Sequence, residues 1–154
     1  MSTLTRRRCP EAREECWHIY FGDVHVGTIV VRSGVPVYQD QWSWSLGFYP
    51  VSHRGEVAAG TAATFEQARR NFETAWRALQ PKLSEADFQA YRRQRAFVSW
   101  KHAMWDTGCK LPTQVVDGRS RCFCGTEIGI ADVERHVHAA HMEDYKRSAD
   151  ETAR

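Results

Sequence analysis

Four potential metal ligands follow one another near the C-terminus in the order thiol, thiol, imidazole, imidazole. They are Cys122, Cys124, His136 and His141. Thiolate and imidazole groups together suit a tetrahedral, redox-inert ion, so the pattern predicts a Zn²⁺ site. A segment this short cannot bury much apolar surface, and we expect its folding to be coupled to metal binding. The alternative is a surface helix rich in histidine beside unconnected cysteines.

The two cysteines are predicted to lie on one strand. If residues 119–124 are extended, side chains alternate across the strand, so Cys122 and Cys124 point to the same side. Gly125 follows them, and a glycine allows a tight backbone turn behind the second sulfur. We therefore expect both sulfurs to face a common point.

The two histidines are predicted to lie on one helix, with Asp132 as its N-cap and an end near residue 145. At about 100° per residue, His136 and His141 fall within one arc of roughly 140° around this helix, and His138 lies outside it. Four protein ligands close a tetrahedral shell and leave no position for a water nucleophile. The predicted metal therefore has a structural role.

This arrangement resembles a two-Cys, two-His zinc finger over roughly residues 119–145. Four residues separate the histidines, which lies within the range typical of such fingers. Only Phe123 separates the cysteines, whereas fingers usually have two to four residues there. His138 or Cys109 is therefore kept as an alternative member of the ligand set.

Composition narrows the class of protein. The chain has 154 residues, of which 42% are hydrophobic and 12% aromatic, and this suits a packed core. It has no run of about 18 apolar residues and no apolar signal segment at its start, so we expect neither a membrane span nor secretion. Cys9, Cys16 and Cys109 are widely spaced and the cysteine count of five is odd. We therefore expect no disulfide framework and predict a cytoplasmic location.

An α+β unit is predicted over residues 17–108, with a three-stranded antiparallel sheet packed by two helices. Strands predicted over 17–21 and 25–32 form a hairpin. In a third strand, over 41–50, large and small side chains alternate. Its aromatic face consists of Trp42, Trp44, Leu46 and Phe48. We expect a helix to cover this face and the opposite, serine-bearing face to stay open.

Two helices follow the predicted strands. Thr64 and Gln67 fit a capping box that starts the first helix, which we expect to stop before Pro81. Ser84 and Asp87 form a second capping signal. The helix after it is predicted to run to about residue 106.

The second of these helices is basic and aromatic. Between residues 82 and 110 the chain has six basic and three acidic residues, whereas residues 122–144 have one basic and five acidic. A basic, aromatic surface suits nucleic acid or a protein partner. The candidate contact residues are Arg92, Arg93, Arg95 and Lys101. The alternative is a helix packed on two sides with a solvated basic edge.

These predictions divide the chain into four parts. Residues 1–16, with three consecutive arginines, are expected to form a flexible basic arm. Residues 17–108 form the α+β unit, and residues 109–146 form the zinc-finger-like module. The polar tail over residues 147–154 is expected to be disordered.

Three stretches resemble a group of small bacterial proteins that have no assigned activity. They are residues 42–50 (WSWSLGFYP), 60–69 (GTAATFEQAR) and 101–106 (KHAMWD). The resemblance covers residues 42–111, and it implies one folded unit without implying any chemistry. The order strand, strand, strand, helix is also similar to a small DNA-binding module that places a three-stranded sheet in the major groove, which is an analogy of fold alone.

Together these features favour a non-enzymatic, zinc-containing intracellular protein that associates with nucleic acid in a regulatory role. The acidic residues 122–144 oppose phosphate contact, so the sheet or the basic helix would make it. The alternative is a protein-interaction or adaptor module with a purely structural zinc, whose opposite charges favour self-association. The sequence has no phosphate-cradling glycine loop, nucleophile elbow or paired-carboxylate motif, so we do not predict an enzyme.

Overall fold

The computed structural model describes residues 3–144, which form a mixed α+β protein with a five-stranded antiparallel sheet and three helices. The strands of this sheet are β1 (Leu4–Arg8), β2 (Cys16–Phe21), β3 (Val24–Val31), β4 (Trp42–Leu46) and β5 (Ala58–Ala62). The helices are α1 (Phe65–Leu79), α2 (Glu85–Asp106) and α3 (Val133–Ala140). A separate two-stranded sheet is formed by β6 (Arg119–Arg121) and β7 (Glu127–Gly129). The predicted tail, residues 147–154, lies outside the described residues.

The five strands follow one another in space in the same order as in the chain, and each pairs antiparallel with the next. The predicted hairpin corresponds to β2 and β3, and the predicted third strand corresponds to β4. The predicted count of three strands is wrong, because β1 and β5 add one strand at each edge. Within the described part of the chain, no helix combines the length and the apolar character needed to cross a bilayer.

β5 has the sequence AAGTA, which is poor in the branched and aromatic residues that favour strands. The pairing of β5 with β4 explains why this segment nevertheless forms a strand. Gly60 lies opposite Trp44 in the register, and a Cβ added at Gly60 would lie 2.9 Å from the Trp44 indole nitrogen. The small residue makes room for the indole, so this strand depends on tertiary packing that the local sequence does not reveal.

β1 corrects the prediction that residues 1–16 are a flexible arm. The strand is strongly basic, but it pairs with β2 along its whole length. The guanidinium of Arg6 lies 4.4 Å from the ring centre of Trp17 and 4.9 Å from that of Phe65. The guanidinium group makes cation–π contacts, and the apolar stem of arginine covers aromatic surface. Both contacts stabilise this basic strand in the sheet.

A disulfide joins Cys9 to Cys16, so the expectation of no disulfide is wrong. Cys9 directly follows β1, and Cys16 begins β2. The Cys9 N–H donates to the carbonyl of Cys16 at 3.0 Å. The register of the β1–β2 hairpin therefore places the two cysteines opposite each other, although they are seven positions apart in the sequence.

α1 covers the aromatic face of the five-stranded sheet, as the alternation in β4 predicts. The ring of Trp44 meets the buried Phe72 edge-on, with centroids 6.3 Å apart. Trp42 meets Phe65 in the same way at 5.4 Å. On the opposite face, where β4 carries its serines, Ser45 is exposed.

Both predicted capping signals stand at the start of a helix. The Gln67 N–H donates to Thr64 Oγ1 at 3.2 Å before α1. The Ser84 N–H donates to Asp87 Oδ2 at 3.0 Å before α2. Arg54 also binds both oxygens of Asp87, at 2.8 and 3.1 Å. The hydrogen bonds from Arg54, which have the larger effect, and from Ser84 hold the pKa of Asp87 below its usual value.

The chain divides into two compact units, which we call unit 1 (Met1–Tyr91) and unit 2 (Arg92–Arg154). The boundary falls within α2, whereas the prediction placed it between residues 108 and 109. The reason is that the second half of α2 contributes its apolar side chains to the core of unit 2. That core consists of Ala96, Trp100, Met104, Cys122, Ile128 and Val137.

Candidate metal centre

The two cysteines lie in the turn that joins β6 to β7. The Cys122 N–H donates to the carbonyl of Thr126 at 2.8 Å, and the Gly125 N–H donates to the carbonyl of Cys122 at 2.8 Å. Gly125 has a φ of +97°. Residues with a Cβ rarely adopt that conformation, so the turn needs a glycine at this position, as predicted.

This turn corrects the prediction that residues 119–124 form one extended strand. β6 ends at Arg121, and the turn begins at Cys122. The sulfurs of Cys122 and Cys124 approach each other because the backbone curls around them, not because side chains alternate along a strand. One intervening residue, Phe123, is enough for this geometry.

The imidazoles come from α3 and from its C-terminal end. His136 lies within α3, and His141 is the C-cap residue, whose N–H donates to the carbonyl of Val137 at 2.9 Å. The helix ends at Ala140, so it is shorter than the predicted helix that ran to about residue 145. Five positions in a regular helix would separate the two histidines by about 140° around the axis. His141 leaves helical geometry, with φ −127° and ψ 13°, and its Nε2 lies 3.3 Å from that of His136.

Asp132 occupies the predicted N-cap position of α3, but its carboxylate makes no capping bond. It accepts the N–H of Gly129, the last residue of β7, at 3.3 Å. It also pairs with Arg135 at 2.6 Å. These contacts connect the cysteine-bearing hairpin directly to the first turn of the histidine-bearing helix.

The four ligand atoms converge on one point. Cys122 Sγ lies 3.4 Å from His141 Nε2, and Cys124 Sγ lies 3.5 Å from His136 Nε2. The two Nε2 atoms are 3.3 Å apart, and all four ligand atoms lie within 4.8 Å of one another. Around a tetrahedral ion with bonds of about 2.3 Å to sulfur and 2.05 Å to nitrogen, sulfur and nitrogen are about 3.6 Å apart and two nitrogens about 3.3 Å. The spacing therefore fits a single metal ion.

One half of this group is buried and the other half is open. Cys122 is 2% exposed and His141 is 4% exposed, whereas Cys124 is exposed. Burial raises the pKa of the Cys122 thiol. The pKa of Cys124 is lowered to about 6, first by its hydrogen bond with the hydroxyl of Thr126. Because the thiolate is the metal-binding form, Cys124 is ready to bind at neutral pH.

Two side chains outside the ligand set support it. Asp144 Oδ2 lies 2.7 Å from Nδ1 of His141, which leaves Nε2 facing the other ligands. The indole N–H of Trp100 donates to Cys122 Sγ at 3.3 Å. Such outer contacts fix the orientation of metal ligands. Neither residue was predicted from the sequence, although the step of three residues from His141 to Asp144 is a visible signal.

The two alternative ligands, His138 and Cys109, lie outside this four-residue group. Cys109 packs against the core of unit 2. His138 is two residues from His136 on α3, which turns its side chain about 200° away around the helix axis. Among the described residues, this possible metal-binding group therefore contains the four candidate ligands that the sequence order first suggested.

The basic residues of α2 do not form one continuous stripe. Arg93, Arg95 and Lys101 are exposed, and Arg92 is half-buried. The Lys101 ammonium lies 5.1 Å from the ring centre of Phe97. Nine positions at about 100° each place Lys101 on the opposite side of the helix from Arg92. Arg93 and Arg95 lie about 160° apart around the axis, so the three arginines do not form one group. Arg93 and Lys101 are only about 80° apart and share one side of α2.

Comparisons with family models, curated proteins and solved structures found no match to this chain. The resemblance of residues 42–111 to small bacterial proteins therefore stays a prediction.

Proposed function

We propose that this protein is a non-enzymatic, zinc-containing protein that binds nucleic acid, with the metal as a structural link within unit 2. The observation that carries the proposal is the group formed by Cys122, Cys124, His136 and His141, whose ligand atoms lie within 4.8 Å of one another. Two sulfurs and two nitrogens complete a tetrahedral shell, so no position is left for a water nucleophile. This supports a structural role for the ion over a catalytic one.

Zinc is the ion that suits this donor set best. Magnesium and calcium prefer oxygen ligands, whereas a tetrahedral set of two thiolates and two imidazoles favours zinc. When bound, zinc would join the β6–β7 turn to α3. The core of unit 2 has only a few buried side chains, so metal binding would contribute directly to its folding.

We assign the nucleic-acid contact to α2. Residues 122–144 have one basic and five acidic residues, a net charge of −4, which phosphate groups repel. Arg93 and Lys101 are exposed on one side of α2, where both cationic groups can reach phosphate oxygens. Contacts of this kind hold a protein on the backbone and carry no sequence information. The proposal is therefore general nucleic-acid binding without a particular target sequence.

A salt titration of nucleic-acid retention by the full chain tests this binding. Retention should be strongest at about 50 mM salt and fall steeply above it, because bound cations are released from the phosphates. Arg93→Ala combined with Lys101→Ala should reduce the salt slope by roughly two. Arg69→Ala combined with Arg77→Ala removes the same charge from α1 and is the matched control. Absence of retention at low salt would reject the function, and equal losses in both pairs would reject α2 as the contact.

Metal analysis tests the structural site independently of nucleic acid. Purified protein should contain zinc, and Cys122→Ser should lower the content by one ion per chain. Zinc content unchanged by this substitution would reject the ligand set while leaving the retention experiment interpretable.

A protein-interaction module is the second candidate, and Trp105 favours it. This side chain near the end of α2 is 81% exposed and lines a cavity of about 480 Å³ together with Cys109 and Lys110. Tryptophan is enriched at the centre of protein interfaces. Sedimentation at low and high salt tests self-association, which Trp105→Ala should weaken. Loss of association together with unchanged nucleic-acid retention would favour this second function.

A further inference from the structure

A second thiol–imidazole group lies in unit 1. It consists of Cys9, Cys16 and His18, whose ligand atoms all lie within 4.8 Å of one another. Cys9 and Cys16 are joined by the disulfide and are 7% and 8% exposed. His18 is half-buried beside them. The two cysteines were predicted to be unconnected, and this group was not predicted from the sequence.

The backbone holds these three residues together independently of the disulfide bond. The hydrogen bond from the Cys9 N–H to the Cys16 carbonyl, 3.0 Å long, extends the pairing of β1 with β2 by one position. Cys16 and His18 are two residues apart in β2, so their side chains point to the same face of the sheet. If the disulfide opens, two thiols and one imidazole remain side by side.

We propose that Cys9, Cys16 and His18 form a zinc site that becomes available when the disulfide is reduced. A dithiol supplies the two electrons: one of its thiolates attacks a disulfide sulfur, and its second thiol resolves the mixed disulfide. The dithiol leaves as a disulfide, and the chain gains two thiols. Zinc binding then releases the two thiol protons and forms two zinc–sulfur bonds and one zinc–nitrogen bond.

The geometry suits this exchange. Two thiolates bound to tetrahedral zinc at about 2.3 Å lie about 3.8 Å apart. The Cα atoms of Cys9 and Cys16 are 5.4 Å apart, so rotation of the two side chains can reach that separation without movement of the strands. Three protein ligands leave the fourth position to water or a small anion, unlike the four-ligand group of unit 2. We therefore expect weaker zinc binding here, with occupancy that follows the redox state.

The neighbouring histidine is not part of this ligand set. The ring of His25 lies 4.5 Å from that of His18. Its Nε2 lies 2.7 Å from the carbonyl of Gly27, which fixes the ring in a separate contact. His18 is therefore the imidazole that the two thiols would share.

The test is the zinc content of the full chain, measured after zinc addition, in the presence of a phosphine reductant and after dialysis. Reduced wild-type protein should bind one more ion per chain than His18→Ala, and one more than Cys9→Ser combined with Cys16→Ser. His53→Ala removes an imidazole elsewhere in unit 1 and should match the wild type. All samples are reduced, so the four-ligand group of unit 2 contributes the same zinc content to each. If that group binds no zinc, the difference in zinc content between the variants is unchanged.

Equal zinc content in reduced wild type and His18→Ala would overturn the proposal. The serine pair keeps the test valid if His18→Ala does not fold, because it leaves the histidine in place. In wild-type protein whose Cys9–Cys16 disulfide is shown intact by thiol counting, the additional ion should be absent. An additional ion that persists there, or in the serine pair, would also overturn the proposal.

Discussion

Trp100 donates its indole N–H to the sulfur of Cys122 across 3.3 Å, and both residues belong to the core of unit 2. Burial raises the pKa of the Cys122 thiol, and this hydrogen bond acts in the opposite direction. In a buried setting a bond to the thiolate is shielded from water, and here it offsets part of the effect of burial. The contact therefore connects the packing of α2 to the chemistry of the ligand set.

Trp100→Phe removes this donor and keeps most of the ring volume. We expect zinc affinity to fall about 10-fold, at the lower end of the range for outer contacts of metal ligands. Competition with a chromophoric chelator measures the affinity. Trp105→Phe makes the same change at an exposed position of α2 and should have no effect. Equal affinities in the two variants would mean that the indole does not support the metal.

The Asp144 carboxylate should orient the His141 ring. Its Oδ2 lies 2.7 Å from Nδ1 of His141, and replacement by asparagine removes the charge that favours Nε2 as the ligand atom. Asp144→Asn should lower zinc affinity by about 10- to 100-fold. Glu134→Gln neutralises an exposed carboxylate on α3 and is the control. If both variants bind zinc equally well, the carboxylate does not act on the ligand.

Each of the four proposed ligands should be indispensable for the order of unit 2. Loss of one ligand opens the tetrahedral shell, and the binding energy that stabilises the small core is then lost. Zinc content and amide hydrogen exchange over residues 119–144 measure both consequences. The four test variants are Cys122→Ser, Cys124→Ser, His136→Ala and His141→Ala. His138→Ala is the control with a mild effect, and the same zinc content in all five would contradict the ligand set.

The grouping of the four candidate ligands in unit 2 could be predicted because their chemistry depends on residue type and spacing within a short segment. The way in which they converge could not. Whether residues 119–124 extend or turn is decided by the hydrogen bonds around Gly125, and a glycine is compatible with both. The end of α3 at Ala140 could not be predicted either, because the helical sequence pattern continues beyond that residue.

In unit 1, the strands with strong alternation could be predicted and the edge strands could not. β4 alternates large and small residues, whereas β1 is charged and β5 is small. Both edge strands are set by pairing with a neighbour, which is a long-range property. The disulfide between Cys9 and Cys16 depends on the register of the β1–β2 pairing. It therefore could not be predicted from the local sequence either.

Asp87 should make the stability of unit 1 depend on pH. Hydrogen bonds from Arg54 and Ser84 hold its pKa below the usual 3.8. The folded-state pKa is the lower one, so the carboxylate's contribution is fully present above about pH 3.8 and is lost as the pH falls through the folded-state pKa. Asp87→Asn should lower the free energy of unfolding by about 1 kcal/mol at neutral pH, as expected for loss of a helix cap.

The difference between wild type and Asp87→Asn should shrink at an acidic pH below the folded-state pKa of Asp87, where the wild-type carboxyl also becomes neutral. Urea unfolding of both proteins at neutral pH and at that acidic pH measures it. Glu66→Gln changes an exposed carboxylate that pairs with Arg69, and it should alter stability by less than about 0.5 kcal/mol at either pH. A destabilisation by Asp87→Asn of the same size at both pH values would show that the loss comes from packing, because only the ionised carboxylate makes the pH-dependent contribution.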